Sequence, residues 1–380
     1  MFFLYFSVFI AIYISINAYI FIHGYQMVDA FSLSYIAYTV IFLILASAYI
    51  IGEIIQRNHS SIVSDALITF GSLWFVGIVH FFFVSLGFDI LKWLNYLFSF
   101  LSPERISLIA YHTTWITVVM TILMIMIGYI NARTPVIHEY TIHVAKKNIV
   151  TDTLRIAVAS DIHLWPINGW YHAERVVAKI NELHPDLILL PWDVLDGEMD
   201  PVIRRDLGER LRKLSAKYGV YGILGNHEYI GWIDRAADYL REHNITLLRD
   251  SVAEVAGVDL IGRDDISGMR FGIIRKNLAE LLQGTNPETP RILMDHQPKN
   301  LFEAEDNGID VQFSGHKHNG QLWPLNYIVD QVFELARWYK QKGKTHIFVS
   351  SGVGTWWPPV RTNSRPEILL VTIHFDSNEK

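Results

Sequence analysis

Five apolar stretches in the second part of the chain end in side chains that can bind metal ions. The residues at or just after these ends are Asp161 and His163, Asp193, Asn226, His296, and His316 with His318. One such end would be ordinary, because Asp and Asn cap helices and turns well. Five of them, four with a histidine when His227 beside Asn226 is included, favour a shared chemical site over capping.

The seven side chains supply nitrogen and oxygen atoms, and they exceed what one metal needs when a position stays open for substrate. Two metals that share a ligand would use the set, and Asp193 is the natural bridge because a carboxylate has two oxygens. Imidazole and carboxylate ligands without sulfur fit Mn, Fe or Zn better than Mg or Ca. Two such ions can activate a bridging water and hold the attacking and leaving oxygens of a displacement at phosphorus.

The elements that must position these residues alternate between strands and helices. The predicted strands cover 136–144, 154–159, 187–190, 220–224, 245–248, 258–261, 292–294 and 311–313, and the predicted helices cover about 176–183, 201–217 and 232–243. In α/β sheets, functional residues gather at the carboxyl ends of strands. The sequence therefore predicts an α/β domain whose candidate ligands meet at one edge.

At these residues the chain resembles the calcineurin-like metallophosphoesterase superfamily. The pattern of that superfamily is D-x-H, G-D-x-x-D, G-N-H-D/E, a later H and G-H-x-H. This chain has D-I-H from 161, W-D-V-L-D from 192, G-N-H-E from 225, His296 and G-H-K-H from 315. The match covers about 136–375. The resemblance implies a two-sheet α/β sandwich flanked by helices, which hydrolyses phosphoric esters or pyrophosphates with two metal ions.

The resemblance also implies a role for each residue. One metal ion would be bound by Asp161, His163, Asp193 and His318, and the other by Asp193, Asn226, His296 and His316. His227 would be the catalytic histidine that stabilises the phosphorus centre or protonates the leaving oxygen, which suits an imidazole. Asp196 and Glu228 would orient ligands or cap backbone groups.

Three further residues are predicted to contact the substrate. Trp192 stands where the family has glycine, so the strand end is remodelled or the ring forms a wall of the substrate site. Lys317 lies between two predicted ligands, where it could contact phosphate. Arg361 could bind a phosphate with two parallel hydrogen bonds.

The first third of the chain has a different character. The whole chain is 51% hydrophobic with a mean hydropathy of +0.23, and charges are nearly absent before residue 130. Four apolar blocks, at 2–22, 31–51, 67–86 and 106–130, are each close to the roughly 20 residues that cross a bilayer. We predict a transmembrane bundle of four helices at 1–132 and a phosphoesterase domain at 133–380. A shorter amphipathic segment, 88–100, is expected to lie at the membrane interface.

Charges give an orientation and exclude some partners. Arg57, Arg133, Lys146 and Lys147 would share a side with the large domain, whereas Lys92 and Arg105 would face away. The four apolar blocks predict an integral, multi-pass protein. The excess of basic residues on the side of the large domain predicts that the catalytic domain is on the cytoplasmic side of the cell membrane. The net charge of −6 does not favour nucleic acid as a partner. The absence of cysteine excludes disulfides and thiolate metal sites.

The C-terminal part of the chain, at 348–354 and 358–368, resembles the membrane-associated branch of the superfamily. That branch includes phosphodiesterases and hydrolases of UDP-2,3-diacylglucosamine. The segment 324–342, rich in aromatic residues and lysine, is either an amphipathic helix that covers the core or an element that contacts acyl chains at the membrane.

These observations predict a membrane-anchored phosphoesterase that acts on an amphipathic, lipid-linked phosphodiester or pyrophosphate. The specific candidate is UDP-2,3-diacylglucosamine, cleaved to the lipid monophosphate and UMP. The alternatives are hydrolysis of another phospholipid or nucleotide, and a metal-binding membrane scaffold without catalysis. A transporter is disfavoured because few charged residues lie in the spans and no inverted repeat is visible.

Overall fold

The computed structural model describes residues 2–28, 34–146, 150–165, 169–191, 193–197, 199–230, 232–356 and 358–377. The chain forms two compact units, Met1–Gly128 and Tyr129–Lys380. Each unit has its own core, and the second contains all the predicted metal ligands.

The first unit consists of long apolar helices. They are α1 (Phe2–Tyr25), α2 (Tyr35–Asn58), α3 (Ile62–Phe98) and α4 (Pro103–Asn131), the last of which ends in the second unit. All four are long and apolar enough to cross a membrane. The predicted set of four long apolar helices is therefore confirmed.

The prediction of 88–100 as a separate segment is wrong, whereas its position at the membrane interface stays a prediction. Helix α3 continues through it as one helix of 37 residues. Gly87 lies just before this segment, and a single glycine costs a helix about 1 kcal/mol, too little to end it against many good helix formers.

Side-chain contacts fix the packing inside the first unit. The indole Nε1 of Trp74 donates to Oδ1 of Asn17 at 2.8 Å, and the ring of Phe42 packs edge-on against Trp74 at 5.3 Å. Gly71 allows α3 to approach the backbone of α2 at Tyr49. Small residues and paired polar groups of this kind hold helices together where lipid surrounds them.

The second unit is an α/β domain. Its helices are α5 (Trp170–Glu182), α6 (Met199–Arg204), α7 (Asn226–Ile230), α8 (Ile233–Glu242), α9 (Leu278–Leu281), α10 (Phe302–Asp306) and α11 (Asn326–Val332). Its strands are β1 (Val136–Lys146), β2 (Thr153–Val158), β3 (Leu187–Leu190), β4 (Val220–Gly222), β5 (Thr246–Leu247), β6 (Ser251–Val255), β7 (Val258–Gly262), β8 (Arg291–Met294), β9 (Val311–Ser314), β10 (Trp338–Lys342), β11 (Thr345–Val349) and β12 (Glu367–Ser377).

The strands form two mixed sheets of six, which confirms the predicted fold class. The first has the order β1-β12-β2-β3-β4-β5, and the second has the order β10-β11-β9-β8-β7-β6. Strands β2 to β5 are parallel, as are β7, β8, β9 and β11. Parallel neighbours bring their carboxyl ends to the same edge, which places the predicted ligands together.

Alternation of side chains along β2 and β3 divides the core into two layers. Ile156 and Leu189 face a cluster shared with the second sheet, including Met294 and Phe313. Ala157 and Ile188 lie in a cluster with Val176 and Ile180 of α5. Because both faces are covered, these strands are continuous apolar runs that sequence alone identifies easily.

Two predicted elements differ in the structure. The helix expected at 201–217 is replaced by α6 and a 3₁₀ turn at Glu209–Lys213, separated where Asp206 adopts a positive φ of 44°. The segment 324–342 divides into α11 and β10. The β10 strand pairs with β11, so that Tyr339 packs on Phe348 at 5.1 Å.

Candidate active site

The ends of the strands meet through backbone and side-chain hydrogen bonds. His163 N donates to Asp193 O at 2.9 Å, which joins the ends of β2 and β3. His316 N, just after β9 in the other sheet, donates to Asp161 Oδ1 at 3.1 Å. Gly315 permits this approach, since a Cβ at that position would overlap the carboxylate of Asp161. The site therefore lies where the two sheets converge.

Most of the predicted ligands adopt a backbone conformation that side chains other than glycine rarely take. Positive φ angles occur at Asp161 (54°), His163 (50°), Asp193 (45°), His316 (73°) and His318 (45°). Each such residue stores on the order of 1–3 kcal/mol of strain, which persists only where surrounding contacts impose it. The turns after the strands thus aim the side chains inward at a cost in stability.

Asp161, His163 and His318 form the first candidate metal group. The Nε2 atoms of His163 and His318 are 2.9 Å apart, and His318 Nε2 is 3.3 Å from Asp161 Oδ1. All three side chains are buried. Three atoms with available lone pairs converge in a small buried space, which is the donor arrangement that a divalent cation requires.

The second candidate group contains Asp193, His296 and His316. His296 Nε2 lies 3.2 Å from Asp193 Oδ2 and 2.7 Å from Asn226 Oδ1. The rings of His296 and His316 meet edge to face with centroids 4.6 Å apart. The structure therefore places all four predicted ligands of the second metal together.

Asp193 also belongs to a group with His163 and His227. It consequently lies between the first and second groups, where a carboxylate can offer one oxygen to each ion. This donor set of carboxylate, imidazole and amide oxygen fits two divalent ions that share Asp193.

His227 is held by two carboxylates and remains partly exposed. Its Nδ1 lies 2.5 Å from Asp196 Oδ1, and its backbone N–H donates to Asp193 Oδ1 at 3.0 Å. Its side chain is 26% exposed, whereas that of His163 is 1% exposed. The Nε2 edge of His227 is therefore free to serve a substrate while Nδ1 is engaged.

Electrostatics separates the predicted ligands from the predicted acid. Burial opposes ionisation of Asp161 and Asp193, but neighbouring histidines hold the pKa of both carboxyl groups below the usual value. Burial lowers the pKa of His318 to about 4, and burial with the charge of His296 lowers that of His316. These rings are neutral at pH 7, which is the form that binds metal.

His227 shows the opposite shift. Although burial opposes the charged form, Asp196 and Asp193 raise the pKa of His227 to about 10. At neutral pH this ring is an imidazolium that can donate a proton. His296 is an exception among the predicted ligands, because Asp193 raises its pKa against the effect of burial; metal binding there must displace a proton.

Glu228 connects two of the strand ends. Its Oε1 accepts from Leu195 N at 2.9 Å, and its Oε2 accepts from Gly225 N at 2.8 Å. The carboxyl group is buried, and burial with the charge of Asp193 raises its pKa to about 8. Glu228 thereby links the loop after β3 to the backbone just before His227, as a capping residue does.

The three predicted substrate contacts have different surroundings. Trp192 lies outside the described residues. Lys317 is half-buried, and its Nζ lies 3.4 Å from the centroid of the Phe333 ring. Burial, with a contribution from Lys299, lowers the pKa of Lys317 to about 8.

Arg361 differs from the prediction, because it is fully buried and does not reach open space. Its guanidinium donates to the backbone oxygens of Ser351 at 2.8 Å and Gly352 at 3.1 Å. Its Nη2 also lies 3.0 Å from His318 Nδ1. Arg361 therefore organises the loops behind a predicted metal ligand, and a direct phosphate contact would require these bonds to break.

Sequence reasoning missed a buried ionic network behind His296. Asp295 forms ion pairs with Arg263, at 3.2 Å, and with Arg275, and Arg263 also pairs with Glu303 at 2.9 Å. The arginines are separated from Asp295 by 20 and 32 residues of sequence, so no local motif reveals them. The network immobilises the end of β8 and thus the adjacent ligand.

Comparison with known proteins identifies the family of this fold and site. The family model described as calcineurin-like phosphoesterase matches residues 154–320. An uncharacterised metallophosphoesterase of Aquifex aeolicus is 33% identical over 247 residues, covering 64% of this chain and 93% of that protein. The chain belongs to the calcineurin-like phosphoesterase family.

Two further relatives extend the similarity toward the N-terminus. An uncharacterised metallophosphoesterase of Campylobacter jejuni is 26% identical over 360 residues, which is 94% of each chain. A transmembrane protein with a metallophosphoesterase domain from Danio rerio is 28% identical over 292 residues, covering 72% of this chain and 65% of that protein. These relatives and the four apolar helices indicate a membrane protein.

Membership confirms that the chain is a metal-dependent phosphoester hydrolase. The family uses a dinuclear site of divalent ions, and such ions supply a nucleophilic water and charge stabilisation at phosphorus. The protein itself contributes the convergent ligands and an oriented imidazolium at His227.

Proposed function

We propose that this protein hydrolyses the phosphoester or pyrophosphate bond of an amphipathic, lipid-like substrate at a cytoplasmic site that binds Mn, Fe or Zn. The observation that carries the substrate class is an apolar rim, defined as the exposed apolar side chains of two elements that carry or adjoin predicted site residues. One side of the rim is α11, and the other is the segment around α7.

The first side of the apolar rim is α11. Tyr327, Ile328 and Val332 are between 62% and 65% exposed, and none of the helix's residues is buried. The helix follows His318–Gly320 closely, and Phe333 at its end lies beneath the ammonium group of Lys317. An apolar surface therefore begins beside the predicted ligands.

The second side follows His227 along the chain. Ile230 and Trp232 are 66% and 68% exposed. Phe271 and Ile274 are also exposed, and the ring of Tyr229 lies 6.4 Å from that of Phe271. This surface thus adjoins the proton donor, on the element that carries it.

Exposed apolar residues on elements that carry or adjoin a charged site suit a substrate with a phosphate and hydrocarbon chains. Burying apolar surface contributes about 25 cal/mol per Å², so acyl chains laid on the rim would add to binding. Contiguous exposed apolar residues beside polar groups commonly mark such binding surfaces. A small soluble phosphate ester would leave the rim in water.

The predicted ligands, Lys317 and His227 have different roles in the hydrolysis. The predicted ligands would hold two divalent ions, which would bind the phosphate and supply the attacking water next to His227, and Lys317 adds positive charge beside the predicted ligands. His227, oriented by Asp196 through Nδ1, gives a proton from Nε2 to the leaving oxygen. The covering of the site by acyl chains would limit access of bulk water.

The first test compares substrates with purified full-length protein in detergent and Mn²⁺. Bis-p-nitrophenyl phosphate, a phosphatidic acid, a phosphatidylglycerol and UDP-2,3-diacylglucosamine are assayed for wild type and Asp193→Ala. We expect cleavage of the small diester and of at least one lipid, both lost in the variant. Cleavage of the small diester alone would contradict the lipid substrate but leave the chemistry intact.

The apolar rim can be tested separately from the metal site. Ile328→Ser with Val332→Ser should raise KM for the lipid several-fold and leave kinetics on the small diester unchanged. Val150→Ser, which removes a residue that is 71% exposed elsewhere in the domain, is the matched control. Equal losses on both substrates would show that the rim supports the fold instead of binding lipid.

Cysteine labelling can determine on which side of the membrane the catalytic domain lies, because the chain has no cysteine of its own. Single variants Lys217→Cys, in the phosphoesterase domain, and Ser102→Cys, between α3 and α4, are treated with an impermeant maleimide in intact cells. The proposal expects labelling of Ser102→Cys only. Labelling of Lys217→Cys would place the catalytic domain outside and remove nucleotide-linked lipids as substrates.

Two alternatives follow from the same measurements. Metal binding without cleavage of any substrate would favour a membrane scaffold. Cleavage of soluble nucleotides in preference to lipids would favour a general phosphodiesterase.

A further inference from the structure

The phosphoesterase unit contains a polar cavity that is lined by residues other than the predicted metal ligands. It has a volume of about 690 Å³. Its lining includes Tyr129, Arg133, Trp170, Tyr171, His172 and Arg175. We call it the arginine cavity. Tyr129 belongs to the last turn of α4, and Arg133 follows the end of that helix within two residues.

Arg133 and Arg175 have no acidic partner among the residues that the structure describes. Arg175 Nη1 donates to Arg133 O at 2.7 Å, and Arg133 Nη1 donates to Tyr129 O at 3.1 Å. In the described part of the chain, neither arginine forms an ion pair, and none of the described lining residues carries a carboxylate. The nearby Glu174 pairs instead with Arg210, at 3.9 Å.

Two further groups suit an anion. The Nε2 atom of His172 is buried and has no hydrogen-bond partner among the described residues. Burial and the charges of Arg175 and Arg133 lower the pKa of His172 to about 3, so the ring is neutral and can donate one N–H. The cavity also contains the first turn of α5, whose positive dipole end favours negative charge.

The aromatic side chains indicate where the ligand comes from. Trp170 and Tyr171 stack at 3.7 Å, and they remain 38% and 68% exposed. The ring of Tyr129 lies 3.3 Å from the guanidinium carbon of Arg133. Aromatic residues beside arginine at the end of an apolar helix are typical of the headgroup zone of a membrane.

We propose that the arginine cavity binds the phosphate of an anionic phospholipid headgroup. The inference requires that α4 crosses the membrane, which places Tyr129 and Arg133 at headgroup level. The phosphate would lie between the guanidinium groups of Arg133 and Arg175, near Nε2 of His172. Its role is distinct from hydrolysis, since it would fix the domain to an anionic membrane surface.

The test measures lipid binding directly and does not depend on hydrolysis. The full chain in nonionic detergent with phosphatidylcholine is titrated with phosphatidylglycerol, and bound lipid is counted by native mass spectrometry. Tyr171→Glu places a carboxylate in the cavity at an exposed position, and Tyr171→Gln is its neutral control. We expect at least about fivefold weaker binding of phosphatidylglycerol in Tyr171→Glu and no change in Tyr171→Gln.

A second pair tests the arginines. Arg175→Gln should weaken binding, Arg175→Lys should retain most of it, and Arg241→Gln, an exposed residue of α8, should behave as wild type. Thermal unfolding shows whether each variant is folded. Equal binding of phosphatidylcholine and phosphatidylglycerol by the wild type, or unchanged binding in Tyr171→Glu, would overturn the proposal.

A competition experiment distinguishes a phosphate that belongs to a lipid headgroup from one that belongs to a soluble compound. Inorganic phosphate and glycerol phosphate are added at the concentration of the lipid. Retention of phosphatidylglycerol supports the lipid headgroup. Displacement would assign the cavity to a soluble phosphate compound and overturn the lipid source. Failure of the proposed hydrolysis would leave these binding results unaffected.

Discussion

Asp196 holds His227 through a contact of 2.5 Å between Oδ1 and Nδ1. The other oxygen of the same carboxylate lies 3.2 Å from Nδ1 of His163. One carboxylate therefore orients both the histidine predicted to give a proton and a histidine predicted to bind metal. This arrangement holds the ring of His227 in place and puts a negative charge beside Nδ1 of His163.

Replacing Asp196 by asparagine should shift the pH dependence of hydrolysis. The wild-type pKa of His227 is raised to about 10, so the imidazolium form persists into alkaline solution. Removing the charge of Asp196 lowers this pKa, and the ring then loses its proton at lower pH. We expect the alkaline limb of kcat/KM for bis-p-nitrophenyl phosphate to move toward acid by about one pH unit or more.

Two controls accompany the pH profile of Asp196→Asn. His227→Gln should remove the alkaline limb, because no imidazolium remains to titrate. Metal content is measured in each variant, since Asp196 also contacts His163. An unshifted limb in a fully metal-loaded Asp196→Asn protein would show that His227 is not the titrating acid.

Replacing Asp193 by asparagine should remove metal. Asp193 belongs to two of the candidate groups, so losing its charge weakens both sites at once. We expect bound metal, measured by mass spectrometry of the digested protein, to fall from two ions to one or none. Activity should fall at least about 100-fold, since even residues that only support ligands cost 10–100-fold.

The matched control for Asp193 is Asp206→Asn. Asp206 lies with Glu209 and His243 in another cluster of acidic and histidine side chains, whose acidic members are exposed. Metal content should be unchanged in this variant. A loss of metal in Asp206→Asn equal to that in Asp193→Asn would contradict the assignment of the metal centre.

Arg361→Lys should destabilise the phosphoesterase domain. Arg361 is fully buried and donates to several backbone oxygens, and a lysine has neither the planar fork nor enough donors to replace them. We expect a loss of about 2–4 kcal/mol, because buried groups left without a partner cost 1–3 kcal/mol each. Thermal unfolding of the detergent-purified chain measures it.

Arg235→Lys is the control for Arg361→Lys, because Arg235 is exposed and pairs with Asp200 at 2.8 Å. Exposed ion pairs contribute about 0–1 kcal/mol, so its unfolding temperature should hardly change. Similar stability of Arg361→Lys and Arg235→Lys would show that the buried donors are not needed.

The strained backbone at His316 predicts a difference between two small substitutions. With a φ of 73°, this position suits glycine and penalises alanine. In excess chelator, His316→Gly should be more stable than His316→Ala by about 1 kcal/mol, although both lose the imidazole. Equal unfolding temperatures for the two variants would indicate that the turn relaxes when the ligand is removed.

Some features of this protein follow from short stretches of sequence. Buried strands such as 187–190 are continuous apolar runs, and the membrane helices are long apolar blocks, so both can be identified from local composition. The candidate metal ligands can also be picked out, because each is a His, Asp or Asn shortly after such a strand.

Other features depended on contacts between distant residues. The segment 324–342 carries a helical pattern of aromatic residues, yet its second half pairs with β11, and this pairing decided its structure. Similarly, the prediction for Arg361 rested on its charge, whereas burial among carbonyl groups determines what it can bind.

The sequence by itself determined the fold class, the family, the long apolar helices and the identity of the candidate ligands, because these depend on local patterns and motif order. Only the tertiary structure decided that Asp196 contacts two histidines, that Arg361 lies behind His318 and that a cavity lined by arginines follows α4. These relationships join residues far apart in the chain, and their burial and charge balance exist only after the chain has folded.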